Sequence, residues 1–263
     1  MTAGTGARAH RRTGGAVLAE ASVAGGTVPG VELAEWRDRF GVVAGVTERP
    51  FSLGFWTEEP VGTVMGRWRA FRDANRPKFN AVQQAHQVHG AAVRWHEGVG
   101  QGWHVADAAD GHATVQQGLL LGVTVADCVP VYLTSRDGSA VALLHAGWRG
   151  TAARIVETGV RLLHDRAKVS PEDLVMHCGV GVCGACYEVG EEVAKAVLGP
   201  AARPGKQRLD LRAALARQAE ELGVGEVTVS PLCTSCDNDR FFSHRASGGK
   251  DGRMIAYVGI PVS

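Results

Sequence analysis

Three apolar segments in the middle of the chain constrain its fold more than any other feature. Residues 118–125 and 129–133 are rich in β-branched side chains, and residues 140–144 follow the turn signal Asp137-Gly138. Apolar residues hardly alternate with polar ones along these segments, which is typical of strands buried on both faces. The sequence therefore predicts a buried hairpin whose turn lies at Asp137-Gly138.

Helical and strand patterns are mixed along the rest of the chain, without an internal repeat or a regular alternation of strand and helix. Apolar spacing predicts helices over residues 31–40, 61–74, 147–167, 191–198 and 211–222. Further strands are predicted over residues 41–46, 51–56, 81–95 (around the polar residues 87–90), 175–179, 226–229 and 254–258. We expect a single α+β domain over residues 31–263, in which helices flank mixed β-sheets. The glycine- and alanine-rich residues 1–30 are predicted to be a disordered tail.

The composition is that of an ordinary globular protein and argues against several classes of function. A net charge of +1 is unlike that of nucleic-acid-binding proteins, which usually carry a basic excess. No stretch approaches the roughly 18 uninterrupted apolar residues that a membrane helix needs. Six cysteines, close to histidines and in C-x-x-C pairs, favour metal or thiol chemistry in a reducing compartment. The cytoplasm is the expected location, and no sequence feature specifies an oligomeric state.

Three candidate metal ligands stand at the ends of apolar runs, where a strand can hold a side chain rigidly and leave it accessible. They are His89, Cys128 and His145. Two neutral imidazoles and one thiolate suit zinc, and three protein ligands leave a fourth position for water or substrate, as in catalytic sites. Such a metal lowers the pKa of a bound water to about 7 and polarises a substrate atom. Asp127 is expected to point away, because adjacent strand residues face opposite sides.

The glycine-rich segment after His145 is a candidate anion site. Residues 147–151 (GWRGT) are expected to open a helix, whose free backbone N–H groups and positive dipole end suit a phosphate. Arg149 could add a charge-assisted hydrogen bond beside the backbone of Gly150. The alternative is that these glycines only permit a sharp turn and close packing.

Four of the six cysteines form two C-x-x-C pairs, Cys183 with Cys186 and Cys233 with Cys236. Two such pairs are typical of a structural zinc site, so a second metal is a possible use of these residues. Buried, reduced thiols are the alternative interpretation.

Five motifs, in order, resemble those of the YfiH/laccase-domain family. They are residues 87–90 (QVHG), 126–130 (ADCVP), 145–150 (HAGWRG), 186–189 (CYEV) and 242–245 (FSHR), the last followed by residues 252–253 (GR). The resemblance covers roughly residues 40–260, and five ordered motifs are far more specific than one. Towards the N-terminus only residues 45–49 (GVTER) and 51–54 (FSLG) resemble the family pattern.

The resemblance implies a layered α+β sandwich of the YfiH type, with zinc bound by His89, Cys128 and His145 as metal ligands and catalytic residues. It also implies action on purine nucleosides. The expected reactions are phosphorolysis of adenosine, inosine and 5′-methylthioadenosine, with phosphate as co-substrate, and deamination of adenosine. Candidate substrate or phosphate contacts are Arg149, Gly150, Gln87, Arg49 and Arg245.

Three other functions stay open on the sequence alone. The family's laccase label suggests copper-dependent polyphenol oxidation, but the ten histidines include no His-x-His pair of the kind that holds a multicopper cluster. A single copper could still occupy two histidines and a cysteine. Alternatively, Cys128 paired with His145 could be the nucleophile of an amide hydrolase, since some relatives are linked to editing of peptidoglycan precursors. The last alternative is a zinc-stabilised binding module without turnover.

Overall fold

The computed structural model describes residues 16–23, 26–54 and 59–262, and two seven-stranded sheets form its centre. The first sheet contains β1 (Ala16–Val17), β6 (Val93–His96), β8 (Gly111–Thr114), β10 (Val129–Ser135), β11 (Val141–Ala146), β12 (Leu174–Cys178) and β15 (Glu226–Val229). The second sheet contains β2 (Ala21–Ser22), β3 (Gly30–Glu32), β4 (Val43–Thr47), β5 (Ala81–Ala85), β7 (Gly102–Ala106), β9 (Leu119–Val125) and β16 (Met254–Gly259).

Both sheets are mixed. The spatial order is β1-β15-β12-β10-β11-β8-β6 in the first sheet and β2-β3-β4-β16-β9-β5-β7 in the second. Parallel pairs such as β12 with β15 and β5 with β9 lie beside antiparallel pairs such as β10 with β11 and β9 with β16. A short antiparallel pair, β13 (Glu188–Val189) with β14 (Gln207–Arg208), lies outside the two sheets.

Seven α-helices connect and cover these sheets within the described ranges. They are α1 (Ala34–Phe40), α2 (Val61–Asn75), α3 (Trp148–Ala152), α4 (Ile155–Ala167), α5 (Glu191–Leu198), α6 (Leu211–Glu221) and α7 (His244–Ser247). Single turns of 3₁₀ helix occur at Pro171–Asp173 and Gly199–Ala201.

The core is divided into three apolar layers by the two sheets. Successive residues of a strand point to opposite faces, so Leu144 packs with α4 and α6 while Leu143 points between the sheets. In the second sheet Leu121 meets Leu143 in the same inter-sheet layer, and Leu120 points outward to pack with Trp68 of α2. The layers are therefore helix, sheet, sheet and helix, and the predicted α+β class with flanking helices is confirmed.

The predicted central hairpin is present as β10 and β11. The two strands pair antiparallel from Val129 with Ala146 to Thr134 with Val141, and every residue of both strands is buried. Gly138 in the turn has a left-handed backbone, and a side chain there would collide with the carbonyl oxygen of Phe40. This hairpin places His145, near the end of β11, opposite Pro130 at the start of β10.

Three connections carry the chain from the second sheet to the first at the same edge of the sandwich. The connection from β5 to β6 contains His89, the one from β7 to β8 contains Asp110, and the one from β9 to β10 contains Cys128. The segment 118–133, which reads as two neighbouring strands, is thus split between the two sheets. This crossing brings residues that are distant in sequence to one place.

Two predictions for the N-terminal third are wrong. Residues 16–22 were expected in a disordered tail, but they contain β1 and β2. The side chain of Glu20 between these strands is buried and accepts a hydrogen bond from Ser230 Oγ at 2.7 Å. Residues 1–15 and 24–25 of that tail lie outside the described residues. The helix expected over 31–40 begins only at Ala34, because residues 30–32 pair with β4 as a strand.

Three further boundaries differ from expectation. Residues 51–54 do not form a strand. The Leu53 N–H donates a single hydrogen bond to the carbonyl of Arg253, outside any β-ladder, and residues 55–56 lie outside the described ranges. The strand expected over 81–95 is two strands, β5 and β6, in different sheets. The helix expected over 147–167 is broken into α3 and α4 at Arg154, whose φ is 56°.

Candidate metal centre

The structure brings His89, Cys128 and His145 together. Their ligand atoms, one imidazole nitrogen from each histidine and the cysteine sulfur, lie within 4.8 Å of one another. The two imidazole rings are 4.9 Å apart and nearly perpendicular. His145 is buried, Cys128 is half-buried and His89 is exposed, so one side of the cluster is open. This donor set and spacing could hold a metal ion that keeps a free coordination position.

Asp110 positions both histidines of this cluster. Its Oδ1 accepts hydrogen bonds from His145 Nδ1 and from the backbone N–H of His89, both at 2.9 Å. Its Oδ2 accepts the N–H groups of Val88 at 3.2 Å and Gly90 at 2.7 Å. The carboxylate therefore holds His89 in its left-handed conformation (φ 59°) and leaves Nε2 of His145 as the nitrogen for a metal.

The electrostatics of the site favour the ionised forms that a metal centre requires. Burial opposes ionisation of Cys128, but the charge of His145 and hydrogen bonds from His145 and His89 lower the pKa of the thiol to about 6. Burial also opposes ionisation of Asp110, yet its hydrogen bonds with His145 and Gly90 hold the pKa of the carboxyl below its ordinary value. A thiolate ligand and an ionised supporting carboxylate are both favoured.

Gly147 leaves the space in which the cluster sits. A Cβ atom on this residue would lie 2.9 Å from Cys128 Sγ and 3.6 Å from Cδ2 of His89. Its backbone is extended (φ −79°, ψ −179°), so glycine is required here by the close approach and not by the backbone angle.

Replacement of Gly147 by alanine is expected to lower the zinc affinity of the site about 10–100-fold, because the sulfur must shift to avoid the new methyl group. Competition with a chromophoric chelator measures the affinity. Gly190→Ala is a matched control, since Gly190 also precedes a helix with an extended backbone and a Cβ there would meet nothing within 4 Å. Equal zinc affinities in the two variants would contradict the steric argument.

Asp127 is not placed to bind the same metal. Its Oδ1 accepts hydrogen bonds from Thr234 Oγ1 at 2.6 Å and Ser243 Oγ at 2.7 Å, and its Oδ2 accepts the backbone N–H of Arg245 at 2.6 Å. The expectation that Asp127 points away from the cluster agrees with these contacts. The reason for it, the alternation of side chains along a strand, does not apply. Asp127 lies in a connection between sheets with φ 83°, and not in a strand.

The open side of the cluster faces a cavity of about 770 Å³, a size suited to a small organic ligand. His89, Cys128 and His145 lie in its wall together with the aromatic rings of Trp148 and Tyr187. Apolar parts of the wall come from Leu53, Val105, Ala126, Val182 and Leu211. The cavity thus combines a polar centre with flat and apolar surfaces.

Arg149 and Arg245, two of the predicted substrate contacts, line this cavity. The guanidinium of Arg149 lies 4.3 Å from the centre of the Trp148 ring, and that of Arg245 lies 5.1 Å from the centre of the Tyr187 ring. Neither arginine forms an ion pair with an acidic side chain of the described residues. Two cationic groups held on aromatic rings are therefore available to an anion.

Gln87 and Arg49, two other predicted contacts, have structural roles. Gln87 reaches the cavity wall, but its amide donates to the carbonyl of Thr124 at 2.9 Å and accepts the N–H of Thr124 at 2.7 Å. Arg49 is absent from the wall, because its guanidinium pairs with Asp251 and donates to the carbonyl of Phe241 at 3.0 Å. Both side chains are therefore already bonded within the protein, and substrate contact by either of them stays a prediction.

The prediction of a long helix that opens at residues 147–151 is wrong, and phosphate binding by this segment stays a prediction. Helix α3 has only five residues, since the carbonyl of Thr151 accepts Gln218 Nε2 at 2.9 Å and the chain turns at Arg154. Gly150 is buried, and a Cβ there would lie 2.9 Å from the carbonyl oxygen of Gly90. Gly150 allows close packing between the segments that carry His89 and His145, as in the alternative interpretation that these glycines only permit a sharp turn and close packing.

Several cavity residues were not assigned a role from the sequence. Tyr187 and Arg253 belong to quoted motifs, but no spacing rule places them beside His89. Asp110 lies behind the cluster and not in the cavity wall, and its only signal in the sequence is a carboxylate beside a glycine at residues 110–111. His86 and His244 also line the cavity, and both are exposed residues.

The four cysteines of the C-x-x-C pairs form a second cluster, in which all four sulfur atoms lie within 4.8 Å of one another. Within residues 16–23, 26–54 and 59–262, this cysteine cluster and the cluster of His89, Cys128 and His145 are the two groups of three or more side chains that could hold a metal ion. No helix in those ranges is both long and apolar enough to cross a lipid bilayer.

The fold and the site together define an α+β sandwich protein with a candidate open metal centre in the wall of a ligand-sized cavity. Residues 37–261 match the family described as multi-copper polyphenol oxidoreductase laccase, and the chain belongs to this family. The family resemblance seen in the motifs is thereby confirmed.

Individual relatives have been assigned activities. The purine nucleoside phosphorylase YlmD of Geobacillus stearothermophilus is 36% identical over 191 residues, which are 66% of this chain and 70% of that protein. An adenosine deaminase from an unknown prokaryotic organism is 35% identical over 166 residues, 58% of this chain and 62% of that protein. The crystal structure of the G. stearothermophilus YlmD superimposes with a TM-score of 0.82 at 28% identity, covering 91% of this chain and 98% of that one.

Proposed function

We propose that this protein is a zinc-dependent purine nucleoside enzyme. It would catalyse phosphorolysis of adenosine, inosine and 5′-methylthioadenosine, and hydrolytic deamination of adenosine. The names of its relatives, purine nucleoside phosphorylase and adenosine deaminase, support the substrate class. The observation that carries the proposal is the His89, Cys128 and His145 cluster in the wall of a cavity of about 770 Å³.

The residues present fit a zinc ion. Two imidazoles and a thiol of lowered pKa are donors that zinc prefers, and Asp110 fixes His145 through Nδ1 as metal-binding histidines require. A bound ion would supply a Lewis acid next to the cavity. The other group of three or more possible ligands among the described residues consists of four cysteines and no histidine, so these residues do not fit the several histidine-bound coppers of a true laccase.

The cavity wall supplies the other functions that these reactions need. The half-exposed rings of Trp148 and Tyr187 suit the flat face of a purine, and the apolar wall around Leu53 excludes water from it. Arg149 and Arg245 would bind phosphate, the co-substrate that replaces the base on C1′ of the ribose. His86 and His244 contribute two further imidazole side chains to the same wall as the metal cluster.

Metal analysis combined with a product assay tests this proposal. Purified protein is analysed for zinc and copper and then incubated with adenosine, with and without phosphate. Adenine and ribose 1-phosphate are expected in the presence of phosphate, and inosine and ammonia from the reaction with water. Stoichiometric zinc with no product in either condition would overturn the proposed activity, and copper in place of zinc would overturn the metal.

Removal of either cavity arginine is expected to weaken the use of phosphate. Loss of a charge-assisted contact costs about 1.5–3 kcal/mol, so kcat/KM for phosphate should fall about tenfold or more in Arg149→Ala and in Arg245→Ala. The water-dependent deamination should change less, because phosphate takes no part in it. Initial rates at varied phosphate and saturating adenosine measure the effect.

The control for both variants is Arg217→Ala, since Arg217 is an exposed arginine of α6 outside the cavity. It should leave kcat/KM for phosphate unchanged. An equal loss in all three variants would show a general effect of charge, and no loss in the two cavity variants would remove these arginines from the phosphate site.

A second candidate function is favoured by one observation. Cys128 lies next to His145, with their ligand atoms within 4.8 Å of each other, and His145 is in turn hydrogen-bonded to Asp110, which is the order of groups in cysteine amide hydrolases. Such an enzyme would cleave an amide through Cys128 without a metal. Activity that survives chelation but is abolished by alkylation of Cys128 would favour this function, whereas loss on chelation with recovery on addition of zinc favours the first.

A further inference from the structure

The second cysteine cluster has the spacing of a tetrahedral metal site. The sulfur of Cys236 lies 3.4 Å from that of Cys186 and 4.0 Å from that of Cys183. All four sulfur atoms, including that of Cys233, lie within 4.8 Å of one another. A tetrahedral zinc ion with bonds of about 2.3 Å places its sulfur ligands about 3.8 Å apart, so the observed separations bracket the required one.

The backbone around the cluster is organised for metal binding. Each C-x-x-C pair forms a turn of the same kind, closed by the N–H of Tyr187 on the carbonyl of Cys183 at 3.1 Å and by that of Asp237 on the carbonyl of Cys233 at 2.9 Å. The sulfur of Cys233 accepts the backbone N–H groups of Cys183 at 3.2 Å and Cys236 at 3.4 Å. N–H groups directed at sulfur stabilise a thiolate, the form that binds metals.

Neither a disulfide nor four simple buried thiols accounts for this arrangement. The sulfur pairs are well beyond the roughly 2.05 Å of a disulfide bond, and all six cysteines are free thiols. Cys183 and Cys233 are buried, but Cys236 is exposed and Cys186 is half-exposed, so the cluster as a whole is not packed as apolar core. By contrast Cys178 is fully buried in β12 and stands apart from the other five.

The cluster joins two loops that build the cavity. One follows β12 and carries Val182 and Tyr187, and the other follows β15 and leads to Arg245. Outside the cysteines, the two loops meet through a few backbone contacts such as the Thr234 N–H on the carbonyl of Gly181 at 3.2 Å. A metal cross-link at this point would fix the wall of the cavity without entering it.

We propose that Cys183, Cys186, Cys233 and Cys236 bind a second zinc ion with a structural role. Four protein ligands close the coordination sphere, so this ion takes no substrate. It ties the loop after β12 to the loop after β15 and thereby holds Tyr187 and Arg245 in position. This site is independent of the metal held by His89, Cys128 and His145.

Zinc stoichiometry in four forms of the full chain tests the proposal. The expected content is two zinc ions per chain in the wild type, one in Cys128→Ala, one in Cys236→Ser and none in the double variant. Native mass spectrometry and elemental analysis give these numbers. Cobalt loaded into Cys128→Ala is expected to show the charge-transfer and visible absorption of a tetrathiolate site. A Cys128→Ala protein without metal would overturn the proposal even if Cys236→Ser fails to fold, and iron in place of zinc would overturn the metal.

The structural role is tested by hydrogen exchange in Cys236→Ser and in the adjacent control Ser235→Ala. Faster exchange is expected over residues 179–187 and 231–245 in the first variant only, with a lower thermal midpoint. Equal exchange in the two variants would overturn the cross-linking role. Because Cys128→Ala leaves the second site intact, a missing second zinc is distinguishable from failure of the purine nucleoside proposal.

Discussion

Replacement of Cys128 by alanine is expected to remove the proposed metal from the cavity and to reduce kcat/KM for the proposed phosphorolysis of adenosine at least about 10²–10³-fold. Charge stabilisation by a catalytic metal amounts to several kcal/mol, and each 1.36 kcal/mol is about a factor of ten in rate. The backbone at Cys128 is held independently of its thiol, since Asp127 is bonded to Thr234, Ser243 and Arg245. The variant should therefore stay folded.

Zinc content, initial rates and the thermal midpoint of the same preparation check this prediction. Cys178→Ala is the matched control, because it also removes one thiol but from the core of the first sheet. It should keep its metal content and activity and lose some stability. Unfolding of Cys128→Ala at ambient temperature would indicate a zinc-stabilised module instead of an enzyme, and full activity would remove Cys128 from the site.

Cys128→His separates the metal role of this residue from a nucleophilic one. Three imidazoles form a common catalytic zinc site, so this variant can bind zinc with a geometry different from that of the wild type. Partial activity that depends on zinc is expected if Cys128 is a ligand. A cysteine hydrolase would lose its nucleophile in both variants and show no activity in either.

Local chemistry was enough to predict the parts of the fold that bury continuous apolar segments. The hairpin of β10 and β11 was predictable because residues 129–133 and 140–144 are apolar on both faces and are joined by Asp137-Gly138. Strands with polar residues, such as β7 and β8, have no such signal because their stability comes from pairing with distant strands. The sequence does not predict the helix break at Arg154. There the carbonyl of Thr151 accepts a hydrogen bond from Gln218 of α6, a contact between residues that are distant in sequence.

The three ligands could be proposed from their residue types and their positions at the ends of apolar runs. Their convergence could not, because it depends on connections that cross between two sheets at one edge. Motif residues also differ in what they do. Gln87 and Arg49 are bonded to the backbones of Thr124 and Phe241, whereas Arg149 faces the cavity. Sequence spacing does not distinguish a motif residue that is hydrogen-bonded to the backbone from one that faces the cavity.

Asp110→Asn is expected to lower the zinc affinity of the cavity site about 10–100-fold, the usual effect of changing a group that orients a metal ligand. The carboxylate of Asp110 accepts four hydrogen bonds, three from backbone N–H groups and one from Nδ1 of His145. An asparagine amide has one oxygen and one NH₂ group, so two of the four donors would face another donor in either orientation. The His89 loop should loosen, and the tautomer of His145 should no longer be fixed.

A positioning role makes a further prediction that a catalytic role does not. Excess zinc should restore most of the kcat of Asp110→Asn, because the ligands themselves are intact and only their arrangement is weakened. Asp107→Asn, the same change at an exposed residue of the same connection, should leave the zinc affinity unchanged. Unaltered zinc affinity in Asp110→Asn would contradict the proposed role. A loss of kcat that saturating zinc does not restore would place Asp110 in the reaction itself, as expected for the carboxylate of a Cys128, His145 and Asp110 triad.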